Sequence, residues 1–257
     1  MSNIKRAFDH GKAFIAFITC GDPDLETTAT CVKAAVRGGA DLIELGIPFS
    51  DPTAEGPVIQ AANERALKGG VTTDRIFEMV KELRKAVTVP MVFMTYANVV
   101  FSYGIERFCN KCVEVGIDGM ILPDVPYEEK EEFAPACRAR GLDFISLIAP
   151  TSENRVATIA KEAEGFLYIV SSMGVTGERR EITTDIGSMV KLVRENSRIP
   201  CAVGFGISTP EQAKRMAALS DGAIVGSAIV RLIARHGKNA PENVYEYVKS
   251  MKEGMGA

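Results

Sequence analysis

Short apolar runs alternate with longer amphipathic ones along the whole of this chain. The short runs predict strands at roughly 13–20, 41–47, 89–96, 119–124, 143–149, 166–171, 200–206 and 221–226. Helical patterns lie between them at 25–38, 104–116, 128–140, 154–163, 184–195 and 209–217, with a pair at 58–68 and 73–85 after the second strand. Further helices are predicted at 2–10, 228–236 and 241–254. Strands that alternate with helices in this way are parallel and joined by helical crossovers.

Eight such units predict an α/β fold, a single (β/α)8 TIM barrel with an extra N-terminal helix and an extra helix after strand two. No Pro/Ser-rich linker divides residues 1–257, so we expect one domain, and this length is typical of such barrels. A doubly wound open sheet is the main alternative. Its usual glycine-rich first turn is missing, because strand one is followed by Gly21-Asp22-Pro23.

The composition is that of an ordinary globular protein, with 46% apolar and 25% charged residues. A net charge of -3 and the absence of a Lys/Arg block give no reason to expect nucleic acid. The six cysteines are spread through predicted strands and helices, which favours reduced thiols and a cytoplasmic location. We expect no secretory signal, and no apolar run approaches the ~18 residues that a membrane span needs.

Strand two carries an acid in an otherwise apolar run, Asp41-Leu42-Ile43-Glu44-Leu45-Gly46-Ile47. Side chains alternate between the two faces of a strand, so Leu42, Glu44 and Gly46 share one face. The aliphatic face should pack on helices, and Glu44 should point into the barrel beside a glycine that leaves it room. Acids at this end of a barrel strand are usually functional, although a buried acid paired with an unseen Arg or Lys is the alternative.

A second acid, Glu55, follows in the loop after strand two, between Ala54 and Gly56-Pro57. A loop after a barrel strand can fold over the mouth, where catalytic groups of barrels gather. By itself Glu55 would be read as a solvated surface acid. Its candidacy as an acid–base residue rests on its partnership with Glu44.

Glycines at three late strand ends predict a phosphate site. Glycine permits close approach of the backbone, and helix N-termini direct free N–H groups at an anion. Barrels often build such a site after strands seven and eight. No Lys or Arg lies in these turns, so backbone amides and hydroxyls would bind. The stretches are Gly174-Val175-Thr176-Gly177, Gly204-Phe205-Gly206-Ile207-Ser208 followed by Thr209-Pro210, and Val225-Gly226-Ser227.

The remaining strand ends are apolar or aromatic. Each is most simply a core residue, but together they could line a flat aromatic pocket. They are Phe17, Met94 with Tyr96, Leu122, Ile148 and Tyr168.

Several chemistries are disfavoured. No strand end carries a lysine for a Schiff base. The two histidines, His10 and His236, lie outside the strands, so a metal site is not expected. The Cys109–Cys112 C-x-x-C falls inside a helical pattern without a second pair, which argues against a zinc or redox role.

At this point the motifs themselves resemble those of a known family. Leu45-Gly46-Ile47-Pro48-Phe49-Ser50-Asp51-Pro52, followed by Gly56-Pro57, resembles the signature of the tryptophan synthase alpha chain. Further stretches match in family order over about residues 13–230. They are Gly21-Asp22-Pro23, Tyr96-Ala97-Asn98, Pro123-Asp124-Val125-Pro126, Gly174-Val175-Thr176-Gly177 and Gly204-Phe205-Gly206-Ile207.

The resemblance implies a lyase that cleaves indole-3-glycerol phosphate to indole and glyceraldehyde 3-phosphate. Glu44 matches the family's main acid–base residue, and Tyr168 its active-site tyrosine. The implied indole pocket is Phe17, Tyr96, Leu122 and Ile148, and the implied phosphate site includes Thr176, Gly177, Gly206, Ile207, Gly226 and Ser227. The implied partner is the beta chain of an α2β2 tetramer, met by Asp51, Pro52 and Asn98. The cofactor, pyridoxal phosphate, would belong to that partner, and no metal is expected.

One position departs from the family pattern. The family has aspartate where this chain has Glu55, whose extra methylene adds roughly 1–1.5 Å of reach. Positioning errors of ~1 Å can cost about 10²-fold in rate. Either the loop is set back so that Glu55 reaches the same point, or the chain is a catalytically weak subunit that mainly activates its partner. Another phosphosugar barrel enzyme is a third reading.

Overall fold

A computed structural model of the chain describes residues 3–171, 185–204 and 206–256. Nine short strands form one sheet within this part of the chain. They are β1 (Ala13–Thr19), β2 (Leu42–Gly46), β3 (Met91–Met94), β4 (Gly119–Ile121), β5 (Asp143–Phe144), β6 (Leu147–Ile148), β7 (Leu167–Val170), β8 (Cys201–Gly204) and β9 (Gly222–Val225).

Eleven α-helices connect and surround these strands in the described ranges. They are α1 (Leu25–Arg37), α2 (Pro57–Lys68), α3 (Thr73–Leu83), α4 (Ala97–Tyr103), α5 (Ile105–Val115), α6 (Ala134–Arg138), α7 (Glu153–Lys161), α8 (Ile186–Asn196), α9 (Pro210–Leu219), α10 (Ser227–His236) and α11 (Ala240–Gly254).

All strand pairs are parallel, in the order β5-β4-β3-β2-β1-β9-β8-β7-β6. The two outermost strands, β5 and β6, are halves of one predicted strand. Between them the Ile145 N–H donates to the Met120 carbonyl (2.9 Å), and the Ser146 carbonyl accepts from the Tyr168 N–H (3.1 Å). The ladder therefore passes from β4 to β7 through this segment and closes the sheet. The predicted barrel is confirmed, and the open-sheet alternative is wrong.

Two predicted helices differ from the structure, and one helix is additional. The predicted helix at 128–140 is a 3-10 turn (Tyr127–Glu132) followed by the short α6, because Pro135 cannot continue a helix and instead sits in the first turn of a new one. Helix α4 was not predicted. It ends at Gly104, whose φ of 91° breaks it from α5. At the N-terminus, the helix is a 3-10 turn, Ile4–Phe8.

The side chains of the strands divide into an inner and an outer layer. In β2, Leu42 belongs to the inner cluster, whereas Ile43 and Leu45 belong to the outer one between sheet and helices. The alternation predicted for strand two is therefore confirmed. Ile4 and Ala7 of the N-terminal turn join the inner cluster, so this turn packs against the barrel interior.

Burial also bears on cysteine chemistry and membrane insertion. All six cysteines are free thiols with buried side chains, as expected for reduced core residues. Within the described residues, no helix has the length and apolar character to cross a membrane.

Two glycines on inward-facing strand positions make space for aromatic side chains. A Cβ on Gly46 would lie 2.5 Å from Cζ of Phe17, and one on Gly204 would lie 2.5 Å from the hydroxyl of Tyr168. Gly46 was expected to leave room for Glu44, but the space beside it is taken by the Phe17 ring. Gly204 likewise accommodates Tyr168.

We expect Gly46→Ala to destabilise the protein by ~1–3 kcal/mol, because the added methyl overpacks the barrel against Phe17. Urea unfolding checks this. The control is Gly187→Ala in α8, where a Cβ would meet its nearest atom at an ordinary 3.5 Å. That variant should gain up to ~1 kcal/mol from helix propensity. Equal stability of Gly46→Ala and the parent protein would contradict the packing seen here.

Candidate active site

A pocket opens at the carboxyl ends of the barrel strands. It combines two acids, one tyrosine, apolar side chains and the turns after β8 and β9. The lining residues are Phe17, Glu44, Ala54, Glu55, Ile59, Met94, Pro123, Tyr168, Gly206, Ile207, Ile224, Gly226 and Ser227.

Glu44 is the deepest acid of this pocket. The strand register places it between Phe17 of β1 and Val92 of β3, and only 1% of the residue is exposed. Neither carboxyl oxygen has a hydrogen-bond partner in the described part of the chain. Because burial penalises the charged form, the pKa of Glu44 rises from 4.5 to about 8. At neutral pH Glu44 is therefore a neutral acid that can give a proton.

Glu55 lies in the loop between β2 and α2, and its carboxyl faces the same pocket. Its Oε2 accepts a hydrogen bond from Nδ2 of Asn63 (2.7 Å), and its carbonyl accepts one from Nε2 of Gln60 (2.8 Å). Burial raises the pKa of Glu55 to about 7, and hydrogen bonds from Asn63 and Tyr96 oppose that rise. The two acids thus differ in environment. The carboxyl of Glu44 has no hydrogen-bond partner in the described part of the chain, whereas the carboxyl of Glu55 accepts a hydrogen bond from Asn63.

Tyr96 holds the loop that carries Glu55. Its hydroxyl accepts a hydrogen bond from the Ala54 N–H (3.1 Å), and its ring packs against Phe49 with centroids 5.2 Å apart. Burial and the charge of Glu55 raise the pKa of Tyr96. Tyr96 is predicted to line the indole pocket, but it does not line the pocket found here, and its contacts are those of a loop support.

Tyr168 stands inside the barrel beside Glu44. It is 5% exposed, and its hydroxyl occupies the space that the missing Cβ of Gly204 leaves. Burial, and then the charge of Glu44, raise the pKa of Tyr168 well above its ordinary value. The phenol therefore stays protonated and polar within an apolar wall.

The two helix N-termini at the predicted phosphate site differ. Helix α9 is closed by a capping box, in which Thr209 accepts from the Gln212 N–H while Gln212 accepts from the Thr209 N–H. Helix α10 begins after Gly226 without a side-chain cap. Its first N–H groups are therefore available to an anion, whereas those of α9 are used internally. Gly206 enters the pocket in a left-handed conformation with φ 81°.

The structure brings together eight of the predicted site residues at this pocket: Phe17, Glu44, Glu55, Tyr168, Gly206, Ile207, Gly226 and Ser227. Leu122 and Ile148 were expected there but belong to the outer cluster. Side chains alternate, so Leu147 takes the inward position opposite Tyr168 and Ile148 points away. Leu122 instead lines an adjoining pocket. Thr176 and Gly177 lie outside the described residues.

The three predicted interface residues lie at the rim of the mouth. Asp51 and Asn98 are exposed, and Pro52 is half-buried. Phe101, on the same short helix as Asn98, exposes 68% of its surface. An aromatic ring left in water at a rim is a common mark of a protein interface.

Three pocket residues, Ile59, Pro123 and Ile224, were not identified from the sequence, and neither was Asn63, which contacts Glu55 from behind the pocket lining. Asn63 carried a signal that was available. It is a polar residue on the apolar face of α2, between Ala62 and Ala66, and buried polar groups need a partner.

The barrel and its pocket define a class of protein. Two buried carboxyls with raised pKa values meet an uncapped helix start at the carboxyl ends of parallel strands. This arrangement is typical of (β/α)8-barrel enzymes that use acid–base chemistry.

Comparison with known proteins specifies the family. The family model described as tryptophan synthase alpha chain matches residues 4–256. The tryptophan synthase alpha chain of Lacticaseibacillus casei is 47% identical over 257 residues, covering 100% of this chain and 97% of that protein. This chain therefore belongs to the tryptophan synthase alpha chain family and is an enzyme of tryptophan biosynthesis.

Solved structures agree with this assignment. The alpha subunit from Legionella pneumophila str. Paris is 36% identical, with a TM-score of 0.88 and coverage of 100% of this chain and 99% of that one. A chain of the tryptophan synthase complex from Pyrococcus furiosus is 33% identical, with a TM-score of 0.87 and coverage of 95% and 99%. The family resemblance inferred from the sequence motifs is confirmed.

We expect Glu44→Gln to become more stable relative to the parent protein as pH rises from about 4.5 to about 8. In that range the folded parent keeps a proton that the unfolded chain releases, so its stability falls with pH, whereas glutamine does not titrate. The difference should reach a few kcal/mol, on the order of 1.4 kcal/mol per pKa unit. Unfolding in urea at pH 5 and pH 8.5 measures it.

A suitable control is Glu114→Gln, an exposed change on α5. Lys111 lowers the pKa of Glu114, so any contribution of that acid is lost only below the same pH range. A pH-independent difference between Glu44→Gln and the parent would mean that Glu44 is ionised in the folded protein.

Proposed function

We propose that this chain cleaves indole-3-glycerol phosphate to indole and glyceraldehyde 3-phosphate, with Glu44 as the acid–base catalyst. The single observation that carries the proposal is the carboxyl of Glu44, which is nearly fully buried and has no hydrogen-bond partner in the described part of the chain. It lies in the pocket of a chain that belongs to the tryptophan synthase alpha chain family. The enzyme is a carbon–carbon lyase, and its chemistry needs a positioned proton donor.

Glu44 would both give and take a proton. Its neutral form protonates C3 of the indole, which makes the ring an electron-poor indolenine cation. The carboxylate so formed accepts the proton of the adjacent glycerol hydroxyl. The O–H electrons then form the aldehyde, the C–C bond breaks, and its electron pair restores the indole ring. Glu44 ends as it began, protonated, so no other proton carrier is needed.

Glu55 would stabilise the cationic ring. Its Oε2 is engaged by Asn63, and its carboxyl also borders the pocket. A carboxylate there can accept the indole N–H, and its negative charge favours the indolenine cation. Tyr168, polar and protonated beside Glu44, would help to orient the substrate at the reacting carbon.

The phosphate would lie at the start of α10. The uncapped turn at Gly226 and Ser227, with the backbone at Gly206 and Ile207, forms one wall of the pocket. Backbone N–H groups and the helix dipole favour an anion at that point. Thr176 and Gly177 are proposed to complete the site. The apolar side chains of Phe17, Ile59 and Ile224 would enclose the indole ring.

We further propose that the chain works with a beta chain in an α2β2 complex, as named for Pyrococcus furiosus. The proposed contact is the rim of the mouth, with Asp51, Pro52, Asn98 and the exposed Phe101 ring. Indole leaving the pocket at this rim would enter the partner directly. The pyridoxal phosphate of the second reaction would belong to the beta chain, and this chain's steps do not require it.

A test of the proposed reaction is indole release from indole-3-glycerol phosphate, with and without the beta chain. We expect turnover by the parent protein, and a loss of at least ~10²-fold in kcat for Glu44→Gln because no proton donor remains. Turnover absent under both conditions would sink the lyase assignment and favour the alternative, a subunit that mainly activates the beta chain.

Ser227→Glu separates the phosphate site from the acid–base site in the same assay. A new negative charge at the start of α10 should raise KM by tenfold or more, on the order of 1.4 kcal/mol, and change kcat little. An unchanged KM would place the phosphate elsewhere.

The proposed interface is tested by Phe101→Ser. Loss of a buried aromatic contact should weaken binding of the beta chain by at least ~10-fold, while indole release by the isolated chain stays the same. Titration calorimetry with the beta chain measures this. The matched control is Leu219→Ser, another exposed apolar residue (40%), located at the carboxyl end of α9 and so at the opposite end of the barrel. Equal binding by both variants would remove Phe101 from the interface.

A further inference from the structure

We propose that Asn63 is the positioning residue for Glu55, holding its carboxylate in the pocket as a fixed acceptor. The inference rests on the proposed role of Glu55 and adds a residue to it. Asn63 does not line the pocket and would act only through Glu55.

The contact between these side chains is short, buried and directional. Asn63 is 4% exposed, and its Nδ2 lies 2.7 Å from Oε2 of Glu55. An amide NH2 group can only donate, so this bond favours the carboxylate, which only accepts. A buried amide of this kind is costly without its partner, and the pair is therefore mutually dependent.

Helix α2, which carries Asn63, is fixed in place by contacts of two neighbouring side chains. Two residues along α2, Arg65 forms a bidentate ion pair with the buried Asp22, with both N–O distances at 2.8 Å. Closer to the helix start, Gln60 donates to the Glu55 carbonyl at 2.8 Å. Helix α2 thus holds both the backbone and the carboxyl of Glu55.

This arrangement explains how a glutamate can serve in the loop. Glu55 lies outside any helix or strand and has three rotatable side-chain bonds, so a free carboxyl would sample many positions. The bond to Asn63 selects one of them. The longer side chain reaches back to the second turn of α2, and this contact compensates for its extra freedom.

The hydrogen bond from Asn63 to Glu55 also affects the acid limb of the pH profile of the reaction. It lowers the pKa of Glu55, and its removal must therefore raise that pKa. The ionisable side chains that face Glu55 or its pocket from other elements are Glu44 of β2, Tyr96 before α4, Asp124 after β4 and Tyr168 of β7. Two cations, Lys130 and Arg155, line the adjoining pocket and are paired with Glu162 and Glu128.

The test is the pH profile of kcat/KM for Asn63→Leu, in the parent and in a Glu55→Gln background. In the parent protein the acid limb should follow Glu55, near pH 7, and the alkaline limb Glu44, near pH 8. Asn63→Leu should lower kcat about tenfold, leave KM within threefold and move only the acid limb to higher pH.

Asn63→Asp is a second variant that keeps the size of the side chain, so the proposal can still be tested if the leucine variant fails to fold. It brings a second acid within hydrogen-bond distance of Glu55, so the acid limb should move further up than with leucine. The matched control is Asn196→Leu, which also removes an asparagine hydrogen bond, here to the Leu192 carbonyl (2.9 Å) on α8. This control should leave the profile unchanged.

The Glu55→Gln background distinguishes failure of the positioning role of Asn63 from failure of the proposed catalytic role of Glu55. Without a carboxyl at position 55, Asn63→Leu should have no further effect on kcat. If it loses the same factor in both backgrounds, Asn63 does not act through Glu55 and the positioning role is refuted. If Glu55→Gln alone retains full activity, the proposed catalytic role of Glu55 is what fails.

Discussion

The burial of one carboxyl, that of Glu44, constrains the rest of this active site. A charged carboxylate without a partner is too costly to bury, so the side chain must hold its proton at neutral pH. That requires surroundings that do not stabilise the charge, and the register contributes the apolar Phe17 and Val92 on the neighbouring strands. The stability given up here is what makes Glu44 an acid at the pH where a free glutamate would be a base.

The pKa of Glu55 is set by hydrogen bonds as well as by burial. Glu55 has two hydrogen-bond partners and sits in a loop, so its pKa rises less than that of Glu44. Burial raises the pKa of both acids, to about 8 for Glu44 and to about 7 for the hydrogen-bonded Glu55. This order of pKa values suits the roles proposed above, with Glu44 as the acid and Glu55 as the charge stabiliser.

Features of the fold and the site that depend on residues close in sequence could be predicted, whereas those that depend on contacts between distant residues could not. The inward position of Glu44 followed from alternation within one strand, which is local, and it is confirmed. The position of Ile148 depended on where the split fifth strand changes phase, which its own sequence does not reveal. The helix starts after β8 and β9 were both predicted as anion sites, although only Thr209 and Gln212 have the T-x-x-Q spacing of a capping box, and the two starts differ in structure. The polar Asn63 on the apolar face of α2 is visible in the sequence as a residue that needs a partner, but which partner it has depends on the long-range position of the Glu55 loop.

Phe17 packs between the Glu44 end of the pocket and the start of α10 at Gly226. Its strand, β1, lies between β2, which carries Glu44, and β9, which leads to Gly226. Its ring tip fills the space beside Gly46, while its Cβ lies at an ordinary 3.4 Å from where a Cβ of Gly226 would be. One rigid side chain with a glycine on either side therefore spaces Glu44, the proposed proton donor, from the start of α10, the proposed phosphate site. In the proposed reaction the substrate is held at both ends at once, so the two glycines would serve it through packing, although neither donates or accepts a proton.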